Sequence, residues 1–407
     1  MKILRIIARL NVGGPARHVV WLTDELQDKE FQSVLIAGTV PDGEEDMSYL
    51  ADTLGVKPIY IEEMSRELSP KDVVSLLKIY RVMKREQPDI VHTHTAKAGT
   101  VGRIAAFLYR WLTWKTLIGR PRKVRIVHTF HGHVFHSYYG NLKTKIFLAI
   151  EKTLARLATD TIITISPQQR KEIGEDFGVG KAGQFEIVPL GIDLKPLSNP
   201  ESRRAVFRGE MKADEEELLV GFIGRLTEIK NISLFIKVAE LYSRNHEGLP
   251  RLRFVIAGDG HLRKKLEDEA KERGLSGVVT FLGNRTDTET VYAGLDVVAL
   301  TSFNEGTPLS LIEAMASSRP VISTAVGGVV DLLGGITAEH NGFNVCERGV
   351  SVTSQSAESF FSGLIYLVEN ERLRDELKDT GCEFVRNNYS KERLVTDIKE
   401  LYRKLSR

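Results

Sequence analysis

Two basic side chains in the second half of the chain could hold a diphosphate. Arg225 and Lys230 lie five residues apart in a loop that ends one predicted strand and leads into a helix. An arginine binds phosphate oxygens through a planar fork and a lysine acts as a compact charge, so the pair could neutralise a departing diphosphate. The alternative is an exposed loop with two ordinary surface charges.

Two glutamates, Glu305 and Glu313, flank a second candidate loop in the same half. Thr307 is the predicted N-cap of a helix and Pro308 its first residue, so the preceding loop would present free N–H groups to an anion. Carboxylates at such positions suit sugar and ribose hydroxyls, which can donate hydrogen bonds to them. The sequence therefore predicts a site for a phosphorylated sugar after the predicted strand at residues 297–301.

The first half carries a glycine turn and six histidines between residues 89 and 151. Gly13 and Gly14 stand at the start of a predicted helix, whose free N–H groups could face an anion. A tight strand-to-helix turn explains the two glycines equally well. The spacing is not G-x-G-x-x-G, which weakens a nicotinamide-dependent interpretation. The histidines could suggest zinc, but no H-E-x-x-H helix and no nearby carboxylate accompany them, so we predict no metal.

These residues need a scaffold, and both halves predict the same one. Short β-branched runs alternate with amphipathic helices, a pattern typical of right-handed βαβ units and a parallel sheet. The predicted strands are residues 2–10, 32–38, 89–94, 124–130, 161–165 and 185–189, then 218–226, 253–258, 278–283, 297–301 and 321–325. Ligands of such sheets sit beyond the carboxyl ends of the strands, where the candidate residues lie. Residues 199–217 are predicted to connect the domains, and residues 390–407 to form a helix whose apolar face packs on another element.

Length and composition narrow the class of protein. A chain of 407 residues suggests two α/β domains, and a formal net charge of +2 indicates no nucleic-acid partner. Two cysteines are too few for a disulfide framework, which favours a reducing cytoplasm. The amino-terminal residues enter a strand pattern at once, so we predict no signal peptide or membrane span and only peripheral membrane contact.

The ordered motifs resemble the retaining GT-B glycosyltransferases, in particular glycosyltransferase family 4. They are Gly13-Gly14, His131-Gly132, Gly224-Arg225-Leu226 with Lys230, Gly258-Asp259-Gly260, and the E-x7-E from Glu305 to Glu313. The resemblance implies an α/β GT-B fold of two Rossmann-like doubly wound domains facing each other across a cleft. It implies an acceptor domain, residues 1–195, a nucleotide-sugar domain, residues 196–387, and a final helix, residues 388–407, packing back on the first domain.

The resemblance also implies roles for the residues. Arg225 and Lys230 would hold the diphosphate and Glu313 the ribose, while Glu305 and the backbone of residues 306–309 would hold the donor sugar and phosphate. The full implied donor set is Gly14, Arg225, Lys230, Asn284, Gly306, Thr307, Pro308, Leu309 and Glu313, with His131 and Glu305 as catalytic residues. The segment Thr307–Ser310 departs from the commoner Gly-rich loop, so the donor sugar is not identified.

The implied activity is transfer of a hexose or N-acetylhexosamine from a nucleotide diphosphate sugar, a UDP-sugar foremost, with retained anomeric configuration. The sequence has no D-x-D pair to hold a divalent metal, so we expect no cofactor and a leaving group stabilised by cations and helix N-termini. The alternatives are a sugar-nucleotide epimerase or phosphorylase of the same fold, an enzyme using a soluble acceptor and a non-catalytic nucleotide-sugar sensor.

The acceptor half contains no acidic residue from 90 to 150, while aromatic and basic residues alternate near its middle. The aromatic and apolar members are Phe107, Leu108, Tyr109, Trp111, Leu112 and Trp114, and the basic ones Arg110, Lys115, Arg120, Arg122, Lys123 and Arg125. Aromatic rings can settle at the headgroup level while the cations pair with lipid phosphate. We therefore expect a lipid-linked or membrane-presented glycan acceptor in cell-surface polysaccharide synthesis, at the inner face of the cytoplasmic membrane. A core helix at 105–114 followed by a solvated basic loop is the alternative.

Overall fold

A computed structural model of the chain describes residues 1–11, 13–40, 46–64, 70–131 and 141–407, with the side chains of residues 141–143 left out. The chain divides into two compact units. Unit 1 comprises Met1–Gly191 and Glu392–Arg407, and unit 2 comprises Ile192–Lys391. The predicted boundaries, after residues 195 and 387, each lie four residues from the observed ones.

Unit 1 contains a parallel sheet whose strand order, among the described residues, is β3-β2-β1-β4-β5-β6-β7. The strands are β1 Lys2–Ile7, β2 Gln32–Ala37, β3 Ile59–Tyr60, β4 Ile90–His94, β5 Arg125–Thr129, β6 Thr161–Thr164 and β7 Phe185–Ile187. The helices are α1 Gly14–Glu25, α2 Ser48–Thr53, α3 Asp72–Glu86, α4 Ala96–Trp111, α5 Asn141–Leu157 and α6 Pro167–Arg170. The order reverses between β1 and β4, which is where doubly wound sheets bind ligands.

Unit 2 repeats this plan with the order β10-β9-β8-β11-β12-β15-β14-β13. Its strands are β8 Leu218–Ile223, β9 Leu252–Ala257, β10 Val279–Gly283, β11 Val297–Leu300, β12 Val321–Thr324, β13 Ile336–Glu339, β14 Phe343–Cys346 and β15 Gly349–Val352. Its helices are α7 Glu201–Met211, α8 Ile232–Asn245, α9 Arg263–Glu272, α10 Thr288–Gly294, α11 Leu309–Ala316, α12 Val329–Leu333, α13 Ala357–Glu369 and α14 Glu371–Asn388. Only β13–β14 and β14–β15 pair antiparallel in the described part. The order reverses between β8 and β11.

The last helix, α15 Lys391–Ser406, packs on unit 1. Leu394, Ile398 and Leu401 are buried in a cluster with residues of β1 and α1, and Leu405 packs against the same cluster. The helical spacing of these four residues predicts the buried face. Arg403 and Lys399 add ion pairs with Glu30 and Asp28 at the surface.

Two predictions about local structure are wrong. Residues 199–217 are not a bare connection, because α7 lies within them, belongs to unit 2 and buries Phe207 and Met211 at helical spacing. Thr307 does not cap α11, since that helix begins at Leu309 with extended Pro308 at its N-cap position. A proline disfavours helical geometry in the residue before it, which keeps Thr307 outside the helix.

One glycine contact fixes the backbone between two loops of unit 2. Gly258 has φ 144°, and a β-carbon there would lie 1.9 Å from the carbonyl oxygen of Gly224. The loops after β8 and β9 can therefore touch only because residue 258 has no side chain. The G-D-G turn from Gly258 to Gly260 thus serves backbone packing.

Candidate functional site

The loops after β8 and β11 meet at the switch point of unit 2. Phe303 N donates to Ile229 O over 2.8 Å, and Thr301 Oγ1 donates to Lys230 O over 3.1 Å. Because parallel strands end at the same edge, the loop carrying Arg225 and Lys230 lies beside the loop carrying Glu305. These two bonds join the predicted cation loop to the predicted carboxylate loop.

Lys230 and Glu305 form an ion pair at this junction. Lys230 Nζ lies 2.6 Å from Glu305 Oε1, and Ser302 Oγ donates to the same oxygen over 2.6 Å. Both partners are mostly buried, with side-chain exposures of 19% and 11%. The structure gives Glu305 Oε2 no hydrogen-bond partner among the described residues, so this oxygen can accept a bond from a bound hydroxyl.

Ser302 is held from two further sides. Its carbonyl oxygen accepts bonds from Thr324 Oγ1, 2.7 Å away, and Gln355 Nε2, 3.3 Å away. Gln355 Oε1 in turn accepts a bond from Asn231 Nδ2. Ser302, Gln355 and Asn231 therefore position the Lys230–Glu305 pair, a role that their places in the sequence do not indicate.

The remaining predicted donor residues occupy neighbouring strand ends. Arg225 and Asn284 are exposed after β8 and β10, and neither side chain has a hydrogen bond or ion pair with a described residue. Glu313 lies in α11 and its Oε2 accepts a bond from Tyr292 Oη over 3.0 Å. The predicted cation Arg225 is thus available to a ligand, whereas Lys230 is shared with a carboxylate.

The start of α11 offers backbone donors to this loop. No side chain of the described residues caps it, and Thr307 Oγ1 is buried without a hydrogen-bond partner there. The loop is fixed from below, because Gly328 N donates to Glu305 O and a β-carbon at Gly328 would lie 1.8 Å from Gly306 O. An uncapped helix start attracts a negative group, so Gly306, Thr307, Pro308 and Leu309 can border a phosphate.

Unit 1 gathers its predicted residues at its own switch point. Gly14 is the first residue of α1, whose start likewise has no side-chain cap among the described residues. His131, two residues after the end of β5, contacts two other histidines. His94 Nδ1 lies 2.9 Å from His131 Nε2, and the ring centroid of His18 lies 4.9 Å from that of His131.

Strand alternation explains which histidines meet. His92 and His94 occupy the same face of β4, while Thr93 faces the other side and pairs through its Oγ1 with His128 Nδ1 at 2.8 Å. His92 Nδ1 pairs with Tyr402 Oη at 2.6 Å and His92 Nε2 with Thr129 Oγ1 at 2.7 Å. His92 is therefore structural, as its two paired nitrogens indicate. His128 pairs through Nδ1 alone, and its Nε2 is buried without a hydrogen-bond partner among the described residues.

Burial keeps these rings uncharged. It lowers the pKa of His131 to about 4, and it is the largest cause that lowers the pKa values of His18 and His94 well below the usual range. Neighbouring histidines and Arg5 lower the latter two further. A charged imidazole would lose its hydration here without gaining an anionic partner, so the neutral form is favoured.

His18 is the residue of this cluster that the sequence did not single out. It lies on α1, whereas His94 ends β4 and His131 lies two residues after β5, so their sequence spacing gives no sign of contact. Helical position places His18 one turn beyond Gly14. Three residues of the sequence motifs lie outside the described residues: Gly132, which follows His131, and two of the six histidines between residues 89 and 151, His133 and His136.

Two family models match the chain, one in each half. The family model for glycosyltransferase family 4 matches residues 12–196, and the model for glycosyl transferases group 1 matches residues 204–384. The chain is 27% identical over 361 residues to the Escherichia coli UDP-Gal:alpha-D-GlcNAc-diphosphoundecaprenol alpha-1,3-galactosyltransferase, covering 87% of this chain and 85% of that one. It is 26% identical over 328 residues to the D-inositol 3-phosphate glycosyltransferase of Corynebacterium aurimucosum, covering 77% and 71% of the two chains.

A solved structure shows the same fold. The crystal structure of HepE from Anabaena in complex with UDP aligns over 99% of this chain and all of that one, with a TM-score of 0.78 and 18% identity. The two family models together cover both units, and each unit has the doubly wound sheet described above. The chain therefore belongs to the GT-B glycosyltransferases of family 4.

Proposed function

We propose that this glycosyltransferase moves a hexose or N-acetylhexosamine from a UDP-sugar to a lipid-linked or membrane-presented glycan, with retained anomeric configuration, in cell-surface polysaccharide synthesis. The observation that carries the proposal is the paired loops of unit 2, where an exposed Arg225 lies on the loop that also carries the Lys230–Glu305 pair. The similar E. coli protein, named for a UDP-linked donor and a diphosphoundecaprenol acceptor, supports the substrate classes.

The donor would bind through charge and hydroxyl recognition. Arg225 can form bidentate hydrogen bonds with the diphosphate. The ammonium group of Lys230 has three N–H donors, so it can bind phosphate while one of them pairs with Glu305. Glu305 Oε2 would accept a hydroxyl of the sugar, and Glu313 a hydroxyl of the ribose. Asn284 and the start of α11 would complete the donor site.

Transfer would require no metal ion. The C1–O bond to the diphosphate breaks, the acceptor oxygen bonds to C1 on the same face, and the acceptor proton passes to a leaving phosphate oxygen. Negative charge grows on the diphosphate, where Arg225, Lys230 and the α11 N–H groups would stabilise it. His131, uncharged and half-buried, would hydrogen-bond the reacting sugar from unit 1.

Membrane contact would use a surface of unit 1 that we call the basic aromatic patch. It contains exposed Trp111, Leu112, Trp114, Leu117 and Ile118, together with Lys115, Arg120, Arg122 and Lys123. Tyr109 is instead buried beneath the Arg122 guanidinium, and Arg110 pairs with Asp160. The core helix and the exposed patch are thus successive parts of one segment, the helix ending at Trp111.

A cavity of about 680 Å³ opens beside the patch, at the amino ends of β4 to β6. Its lining includes Arg110, Trp111, Arg122 and Lys123.

Each Lys or Arg near an anionic leaflet contributes about 1 kcal/mol of attraction to the membrane. Among the described residues, no helix has the length and apolar character needed to cross a membrane. We propose peripheral binding at the inner face of the cytoplasmic membrane.

The experiment for the donor is a thermal-shift screen of the full-length protein against nucleotide sugars, followed by transfer assays on a lipid-diphosphate glycan acceptor. We expect a UDP-sugar to raise the melting temperature most and transfer to need the acceptor. UDP-sugar conversion without acceptor would instead indicate an epimerase.

The proposed membrane contact is tested by co-sedimentation of the protein with vesicles. Binding to anionic vesicles at low salt, weakened by high salt because the Debye length shortens, is the expected result. A Trp114→Ala/Leu117→Ala variant should bind less, while Val206→Ala, an exposed apolar change in unit 2, serves as control. Equal binding to neutral and anionic vesicles would contradict the proposal. The similarity to an inositol-phosphate glycosyltransferase makes a soluble phosphorylated polyol the second acceptor to assay.

A further inference from the structure

Three imidazoles of unit 1 converge from separate elements. His18 comes from α1, His94 from the end of β4 and His131 from the second residue after β5. One ring nitrogen of each lies within 4.8 Å of the corresponding atoms of the other two. Nitrogens bound to one zinc ion at about 2.0–2.1 Å lie roughly 3.4 Å apart in tetrahedral geometry, so a small side-chain adjustment would bring the three onto one ion.

The cluster holds more hydrogen-bonding capacity than the protein uses. Both nitrogens of His18, Nε2 of His94 and Nδ1 of His131 are buried and have no hydrogen-bond partner in the described part of the chain. His18 is 4% and His94 0% exposed, so bulk water does not compensate them. Buried polar groups left without partners call for an explanation, and a bound ion is one that uses several nitrogens at once.

The chemistry of the donors selects the ion. Neutral imidazole is the form that ligates, and burial lowers the pKa values of all three rings. Imidazole suits zinc and copper, whereas magnesium, calcium and manganese prefer oxygen ligands. Arg5 and Arg393 lie near the cluster and oppose a cation, so the ion must gain its affinity from nitrogen coordination.

We propose that His18, His94 and His131 form a binding site for one zinc-type transition-metal ion, and that an ion there inhibits transfer by occupying His131. Binding stands independently of the proposed function, whereas the inhibition rests on the role proposed there for His131. The site lies in unit 1 and therefore differs from a metal held on the donor diphosphate.

The binding test uses tag-free, full-length protein treated with chelator and then dialysed. Co²⁺ is followed by its visible absorption and Zn²⁺ by calorimetry. We expect one equivalent of each to bind, with no heat from Mg²⁺. His18→Ala and His94→Ala should each weaken Zn²⁺ binding at least tenfold, whereas His246→Ala, which removes an exposed histidine of unit 2, should leave it unchanged.

A zinc-edge anomalous signal from crystals of the unaltered protein keeps the test valid if a variant misfolds. Zinc bound at the three histidines supports the site, and zinc found elsewhere, or binding equal in all variants, overturns it. Zn²⁺ should also lower transferase activity while chelator does not. Stoichiometric Zn²⁺ binding with full activity would retain the site and overturn the inhibition.

Discussion

Arg225 is the exposed cation of the donor loop and offers the cleanest single substitution. Arg225→Ala removes a charge-assisted contact of about 1.5 to 3 kcal/mol, so we expect kcat/KM to fall roughly 10- to 100-fold with an unchanged Tm. Lys237→Ala, which removes an exposed charge on α8, is the control and should keep normal turnover. Steady-state kinetics at saturating acceptor provide the measurement, and wild-type turnover in Arg225→Ala would remove this residue from the donor site.

Lys230 has a double role because it also neutralises Glu305. Lys230→Ala should lower turnover as strongly as Arg225→Ala and should also destabilise the protein, since it leaves a mostly buried carboxylate without its cation. Adding Glu305→Gln to that variant should restore part of the stability but no activity. Denaturation and kinetics of the four forms give the coupling energy. Additive stability changes would show that the pair contributes nothing.

Several single residues could be predicted from the sequence because they follow strands. Arg225, Lys230 and Glu305 do so and are at or next to the joined loops, whereas Glu313 lies within α11. Ser302 could not be predicted, since its role depends on an oxygen of Glu305 that only folding brings near.

The last helix contributes a buried polar link to unit 1. Tyr402 Oη accepts a bond from Arg5 Nη1 over 2.8 Å and pairs with His92 Nδ1 over 2.6 Å. Tyr402→Phe would leave two buried atoms, Arg5 Nη1 and His92 Nδ1, without these bonds, so we expect a loss of about 2 to 4 kcal/mol of unfolding free energy. Chemical denaturation measures it. Tyr366→Phe is the control, because that hydroxyl makes no hydrogen bond in the described part of the chain.

If Tyr402→Phe and Tyr366→Phe lower the free energy of unfolding by the same amount, the hydrogen bonds of Tyr402 to Arg5 and His92 do not stabilise the fold. Activity adds a second readout. His92 stacks against His94, with ring centroids 4.1 Å apart, so a shift of β4 should also lower transfer.

Strand β5 makes stability depend on pH through His128. Burial first, and then the charge of Arg103, lower the pKa of His128 well below 6.5. The folded state therefore favours neutral His128, while the unfolded chain takes a proton near pH 6.5. The stabilisation is complete above the unfolded pKa and is lost as the pH falls below it.

His128→Gln cannot titrate, so its unfolding free energy should fall less steeply below about pH 6.5. One histidine accounts for about 1.4 kcal/mol per pH unit. Urea denaturation at a series of pH values gives both slopes. Identical slopes for the two proteins would mean that His128 is protonated as readily when folded as when unfolded.

Most elements follow from hydrophobic periodicity, and the missed ones show where it is weak. The predicted strands coincide with observed ones, and the clearest, such as β4 and β11, are fully buried runs rich in β-branched residues. Strand β13 was missed because it is a four-residue run whose residues are all exposed, so no buried face distinguishes it. Helix α7 was missed because its charges outweigh Phe207 and Met211, the two buried residues that reveal its apolar face.

Two repeats of one doubly wound plan organise the chain, and each repeat places its candidate residues at its own switch point. The repeated alternation of strands and helices was enough to predict this plan. The contact of His18 with His94 and His131 was beyond prediction, since it joins three distant segments through packing.

Metal-independent transfer from a nucleotide sugar with retained anomeric configuration can be tested by analysis of the product. Purified full-length protein, a UDP-sugar of defined anomeric configuration and a lipid-diphosphate glycan acceptor would be incubated with and without EDTA. NMR of the new glycosidic bond should show the anomeric configuration of the donor, at a rate that EDTA leaves largely intact. An inverted linkage, or complete loss of transfer on chelation, would contradict the account.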